Sequence, residues 1–164
     1  MTPVVSAATK DTTVYTWKAK EGDWSGAWDD PDHWATDYAS AFAYPQTANA
    51  TAKFPRGHEI AVTVNDNYTV GTVDLTDYNP DDAADAIDVT FVGAAGEEYG
   101  TNKVLKVTKF DICAFGGRVA LDRAAVKVSD AISLGANRVF ALKNGAWFYC
   151  EAFVSQSAGT FAVT

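Results

Sequence analysis

The feature that most constrains this chain is a long series of short apolar pairs, each split by one residue, that runs to its last residues. From Ile60 the alternation reads Ile60/Val62/Val64, Tyr68/Val70, Val73/Leu75, Ile87/Val89/Phe91, Leu105/Val107 and Phe110/Ile112. It continues through Val119/Leu121, Val126/Val128, Ile132/Leu134, Val139/Ala141, Trp147/Tyr149 and Phe161/Val163. Period two is the spacing of a strand with one buried face. Most members are pairs, and they come at roughly seven-residue intervals, closer than the ~8–12 residues of a sandwich. Three brief strands and three bends would make one coil of a β-solenoid at that spacing. Glycines at Gly71, Gly93, Gly116-Gly117, Gly135 and Gly145 stand at plausible corners. The stretches 77–86 and 94–102 break the rhythm and read as exposed loops. Short alternating strands do not tell parallel from antiparallel, so an antiparallel β-sandwich or jelly roll is the alternative fold.

The first part of the chain is built differently. Four of the five tryptophans, Trp17, Trp24, Trp28 and Trp34, fall in its first 34 residues. We divide the chain, as one domain overall, into an N-terminal arm (1–13), a Trp-rich cap (14–57) and β-solenoid coils (58–164). Val14 to Trp17 is β-branched and aromatic, as strands prefer. Asp30-Pro31 is a helix-start signal, with Asp as N-cap and Pro in the first helical position. Trp34, Tyr38 and Phe42 follow at intervals of four and would line one face of a short helix, which Tyr44-Pro45 would close. A solenoid end exposes apolar interior and strand edges that must be covered. Trp17, Trp28, Trp34, Tyr38 and Phe42 are expected to form that cover. Trp24, beside Ser25-Gly26, is the best candidate for an exposed contact with a glycan. At the other end Phe153, Phe161 and Val163 have no comparable cover and form an open β end, a template for edge-to-edge addition.

The order Trp17, Gly26-x-Trp28-x-Asp30-Pro31-x-x-Trp34, Pro45, Ala52-x-Phe54 resembles the opening of bacterial β-helical surface proteins. These include autotransporter-associated β-strand repeat proteins and passenger or adhesin-like chains. The resemblance covers about the first 75 residues. It departs from the family at His33, where Asn is usual, at the extra Trp24 and in the short overall length. It implies a short right-handed parallel β-helix, located outside the cell or on its surface, and mostly non-catalytic.

The net charge of −8 argues against nucleic acid or an anionic membrane surface as partner. No stretch of about twenty apolar residues is present, so membrane insertion is not expected. Cys113 and Cys150 allow one disulfide or two free thiols, and no C-x-x-C motif exists. His33 and His58 lack the companions a zinc site requires. The clusters Asp29/Asp30/Asp32 and Asp81/Asp82/Asp85 do not follow a calcium-loop spacing. Arg118, Asp122, Arg123 and Lys127 are close in sequence, but nothing forces them to converge. No catalytic residue, cofactor or metal is therefore expected, and the chain reads as no enzyme. The expected role is structural: an extracellular subunit that forms a homo-oligomer or filament through its N-terminal arm and open C-terminal end. A glycan-binding or adhesin module is the alternative, and a carbohydrate-active enzyme fragment the third.

Overall fold

The computed structural model describes residues 13–37, 40, 42–77, 81, 86–94, 103–112, 117–134, 139–155 and 160–164; for residues 133, 134 and 153–155 it describes the backbone alone. The arm residues 1–12, and also Tyr38, Asp82, Asp85 and Cys113, lie outside the described residues.

The protein is mostly β, and two parallel-rich sheets account for most of it. The first sheet has the spatial order β13 (Trp147–Tyr149), β10 (Ala125–Val128), β8 (Val104–Ile112), β6 (Tyr68–Leu75), β4 (Thr51–Lys53), β1 (Val14–Trp17) and β3 (Trp34–Thr36). The second runs β15 (Thr160–Val163), β12 (Val139–Lys143), β9 (Arg118–Asp122), β7 (Asp88–Gly93), β5 (Glu59–Val64) and β2 (Ser25–Ala27). A third pairs β11 (Ile132–Leu134) with β14 (Phe153–Ser155). Among these strands only β1 and β3 pair antiparallel; every other pairing is parallel. That pattern excludes the antiparallel sandwich.

From β4 to β10 the chain visits the first and second sheets in turn; from β10 it also passes through the third. The later strands keep a constant offset. Arg118, Val139 and Thr160 are partners at intervals of 21 residues, and so are Ile132 and Phe153. Three strands about seven residues apart give that interval.

Inward residues of both sheets share one core. An aromatic column runs through it from Trp34 to Phe54 (5.8 Å), Phe91 (5.7 Å), Phe110 (6.0 Å) and Phe140 (6.5 Å). Phe91 belongs to the second sheet and Phe110 to the first, so this column ties the two together. Each fully buried side chain of this size contributes about 1.5–3 kcal/mol by leaving water.

Two strand phases differ from expectation. In β12 the register sets Phe140 beside inward Val119, so Phe140, not the Val139/Ala141 pair, enters the core. In β13 Phe148 stands beside inward Val126, while Trp147 and Tyr149 face outward. Both segments are apolar at every position, so the sequence has no polar residue to set the phase.

The expected helix after Asp30 is also corrected. Asp30 does cap a turn: its Oδ1 accepts the Asp32 N–H at 3.0 Å, and Pro31–His33 forms a single 3₁₀ turn. Trp34 is then extended (φ −118°, ψ 132°) and opens β3. Pairing Trp34 with Trp17 across β1 and β3 buries both indoles. That burial overrides a helix whose only local support was three aromatics at intervals of four.

Candidate functional site

The two ends of the sheet stack hold the expected site residues, and they are built in opposite ways. At the N-terminal end Trp17, Trp28 and Trp34 are buried, and every one of their indole N–H groups donates to a carbonyl. Trp17 Nε1 donates to Trp24 O (3.0 Å), Trp28 Nε1 to Pro45 O (2.9 Å) and Trp34 Nε1 to Trp28 O (2.8 Å). The rings meet edge to face: Trp17 and Trp34 at 4.8 Å, Trp28 and Trp34 at 5.3 Å. Such contacts add about 0.5–1.5 kcal/mol each to the burial itself. Phe42 is half-buried against this core, and its carbonyl accepts from the Tyr15 hydroxyl at 3.3 Å.

His33 completes the cover. It is buried, stacks on Trp17 at 4.6 Å with planes 9° apart, and pairs Nδ1 with Lys18 O at 3.0 Å. Its other side lies against Gly26, where a Cβ would sit 2.3 Å from the imidazole. Glycine at 26 is thus the space into which the ring fits. The sequence had marked His33 as a turn residue but not as a piece of the core.

Trp24 is half-buried, and one face of its indole is taken by His58 at 3.6 Å, with planes 14° apart. A sugar ring has no access to that face. The acidic cluster below the cap is neutralised from within. Lys20 Nζ bridges Asp30 (3.0 Å) and Asp32 (3.1 Å), while Asp29 accepts from the Asn65 side chain at 3.0 Å. The Asp32 N–H, and then Lys20, hold the Asp30 carboxyl below the usual carboxylate range. Burial and the Asp29 carboxylate push the Tyr68 phenol well above its ordinary value, so it stays a donor, to Asn65 at 2.7 Å.

Arg118, Asp122, Arg123 and Lys127 do not converge. Arg118 reaches Asp88 at 3.2 Å on the second sheet, Arg123 pairs with Asp122 at the following corner, and Lys127 is on the first sheet. Among the described residues no group of three side chains could hold a metal ion, and no helix is long and apolar enough to cross a membrane.

The C-terminal end is open. β13 and β15 are the last strands of their sheets and, like β14, have a strand neighbour on one side only. Phe148 and Phe161 pack on Phe140 at 4.9 and 6.0 Å. Beyond them the surface is apolar: Trp147 is 41% exposed, Phe161 47%, Tyr149 51% and Val163 70%. Cys150 is a half-buried free thiol, pushed up from its ordinary value by burial. Phe153 is on β14, and its side chain lies outside the described residues. Phe148, Trp147 and Tyr149 were not singled out for this end by the sequence; Phe161 and Val163 were. No protein-family model, no curated protein and no solved structure matches this chain.

Proposed function

We propose that the protein is a non-catalytic structural subunit of an extracellular surface or filament assembly, a short right-handed parallel β-helix that adds a neighbour at its C-terminal end. The observation that carries this reading is the joint termination of β13, β14 and β15 beside exposed Phe161 and Val163. A parallel strand edge with apolar residues beside it is a template for a further strand. The β-helix is supported by the alternation between sheets and the 21-residue offsets. Its hand follows from the rule that parallel crossovers in one sheet are right-handed in about 98% of cases.

The neighbour is a second copy stacked head to tail. β2 ends the same sheet that β15 ends, runs in the same direction, and has a strand on one side only among the described residues. A β15-to-β2 contact would continue the second sheet in parallel, a heterologous contact that propagates when it does not close. The N-terminal arm is the other element of this assembly, and the relation to bacterial β-helical surface proteins belongs to the same proposal. Light scattering with negative-stain microscopy tests it. Fibres or large regular particles that vanish when residues 160–164 are deleted would support it. A monodisperse species of 17.5 kDa across a hundredfold range of concentration would overturn it.

A further inference from the structure

The outer face of the first sheet carries side chains that neither the cap nor the open end uses. Register aligns Thr69, Lys106, Lys127 and Tyr149 in one column across β6, β8, β10 and β13. All four are exposed. Lys106 and Lys127 stand directly opposite each other, one strand spacing or about 4.8 Å apart along the backbone. Like charges so placed destabilise a sheet. In a chain of net charge −8, Lys20, Arg56, Lys109, Arg118 and Arg123 all find carboxylates. Lys106 and Lys127 form no ion pair with any described residue.

Beside this lysine pair are two half-exposed rings on the same face. Trp147 and Tyr149 have planes within 14° of each other and centroids 6.3 Å apart. Lys127 Nζ lies over the Tyr149 ring at 5.4 Å, which keeps an ammonium at the edge of the aromatic surface. An exposed tryptophan that could have been exchanged for a polar residue, next to two uncompensated cations, has a recognisable chemistry. Flat rings take the C–H faces of sugar rings, and paired ammonium groups take one carboxylate or sulfate.

We propose that this face binds an acidic polysaccharide of sparse charge, with an anionic group on Lys106 and Lys127 and a neighbouring sugar on Trp147 and Tyr149. Two lysines favour such a chain over nucleic acid, which carries a phosphate on every nucleotide and is repelled by the acidic remainder of the molecule. The site is distinct from the strand edges of the assembly proposal and does not depend on it.

Affinity electrophoresis of the full chain through gels containing hyaluronan, polygalacturonate, chondroitin sulfate or neutral dextran tests the inference, with labelled oligo(dT) as a further probe in solution. Retardation is expected in at least one acidic gel, weaker in dextran, and reduced by added salt. Lys106→Gln combined with Lys127→Gln, and separately Trp147→Ala combined with Tyr149→Ala, should each weaken that binding at least tenfold. All four residues face outward, so circular dichroism and the urea midpoint should stay near those of the parent, which separates lost binding from lost folding. No retardation in any acidic gel would overturn the proposal. So would retardation that both double variants retain, or binding of oligo(dT) tighter than of every polysaccharide. Equal retardation in dextran, unaffected by the lysine changes, would overturn the anionic part and with it the proposal as stated.

Discussion

The N-terminal and C-terminal ends of this molecule are both aromatic, yet one is closed and the other is not. At the first end Trp17, Trp28 and Trp34 are buried and their N–H groups are all satisfied within the chain. At the second Phe161 and Tyr149 are about half exposed, and three strand edges end together. Hydrophobicity therefore does not distinguish them. What closes the first end is a reversal: the 3₁₀ turn brings β3 back antiparallel to β1 and lays Trp34 over the column that starts at Phe54. No described segment turns back in that way after β15.

The largest expected effect tests this contrast directly. Trp28→Ala removes a fully buried indole and its hydrogen bond to Pro45 O, and should cost about 3–5 kcal/mol in urea unfolding. Phe161→Ala, at the open end, should cost less than about 1.5 kcal/mol, since half of its surface already meets water. Equal losses would mean that the two ends are equally closed in solution.

A second test asks whether the cap is a fitted piece or a loose cover. Gly26→Ala places a methyl 2.3 Å from an imidazole that Trp17 and Lys18 O hold in place. Overpacking of this kind costs about 1–3 kcal/mol. Adding His33→Ala in the Gly26→Ala background should recover part of that loss, whereas His33→Ala alone should destabilise. A double-mutant cycle with no coupling would show that the ring moves aside freely.

Much of the β architecture was legible, for reasons that individual residues make clear. In β5 and β7, Ile60, Val62, Val89 and Phe91 alternate with polar or small neighbours, so the buried face was unambiguous. Val139-Phe140-Ala141 and Trp147-Phe148-Tyr149 lack such markers, and there only the register of neighbouring strands fixes the phase. The aromatic column was hidden for a similar reason. Its members come from both sheets and are brought together by offsets of tens of residues, which no local pattern reveals. The helix-start signal at Asp30-Pro31 was correct as a start; the sequence did not reveal that Trp34 is worth more paired with Trp17 than in a second helical turn. Trp24 and His58 are 34 positions apart in sequence, so the stack that covers one indole face was likewise out of reach.

The open end can be perturbed with little effect on folding. Val163→Lys places a charge on a residue that is 70% exposed, so stability should change by no more than about 0.5 kcal/mol. A charge at a free edge is a common block to strand addition, and sedimentation should shift toward the monomer at matched concentration. Unchanged assembly would move the contact away from β15.

The smallest effect is in acid, and it should appear at one end only. The Asp32 N–H and Lys20 hold the folded-state value of Asp30 below its unfolded value, near 3.9. The unfolded chain then binds the proton more readily, so this carboxylate adds stability above that value and loses it as pH falls through the lower folded one. Hydrogen exchange between about pH 5 and pH 2.5, corrected for the intrinsic rate, should show protection falling at the His33 and Trp34 amides, next to the capped turn. The Leu142 and Thr164 amides, in and just beyond the β12–β15 pair, serve as the internal reference. Asp30→Asn keeps a capping oxygen but not the charge, so it should remove most of that pH dependence while preserving the turn. If both ends lost protection together in the parent, and Asp30→Asn changed nothing, acid would be melting the whole stack. Closure of the N-terminal end would then owe nothing to the capped turn and would rest on the buried indoles alone.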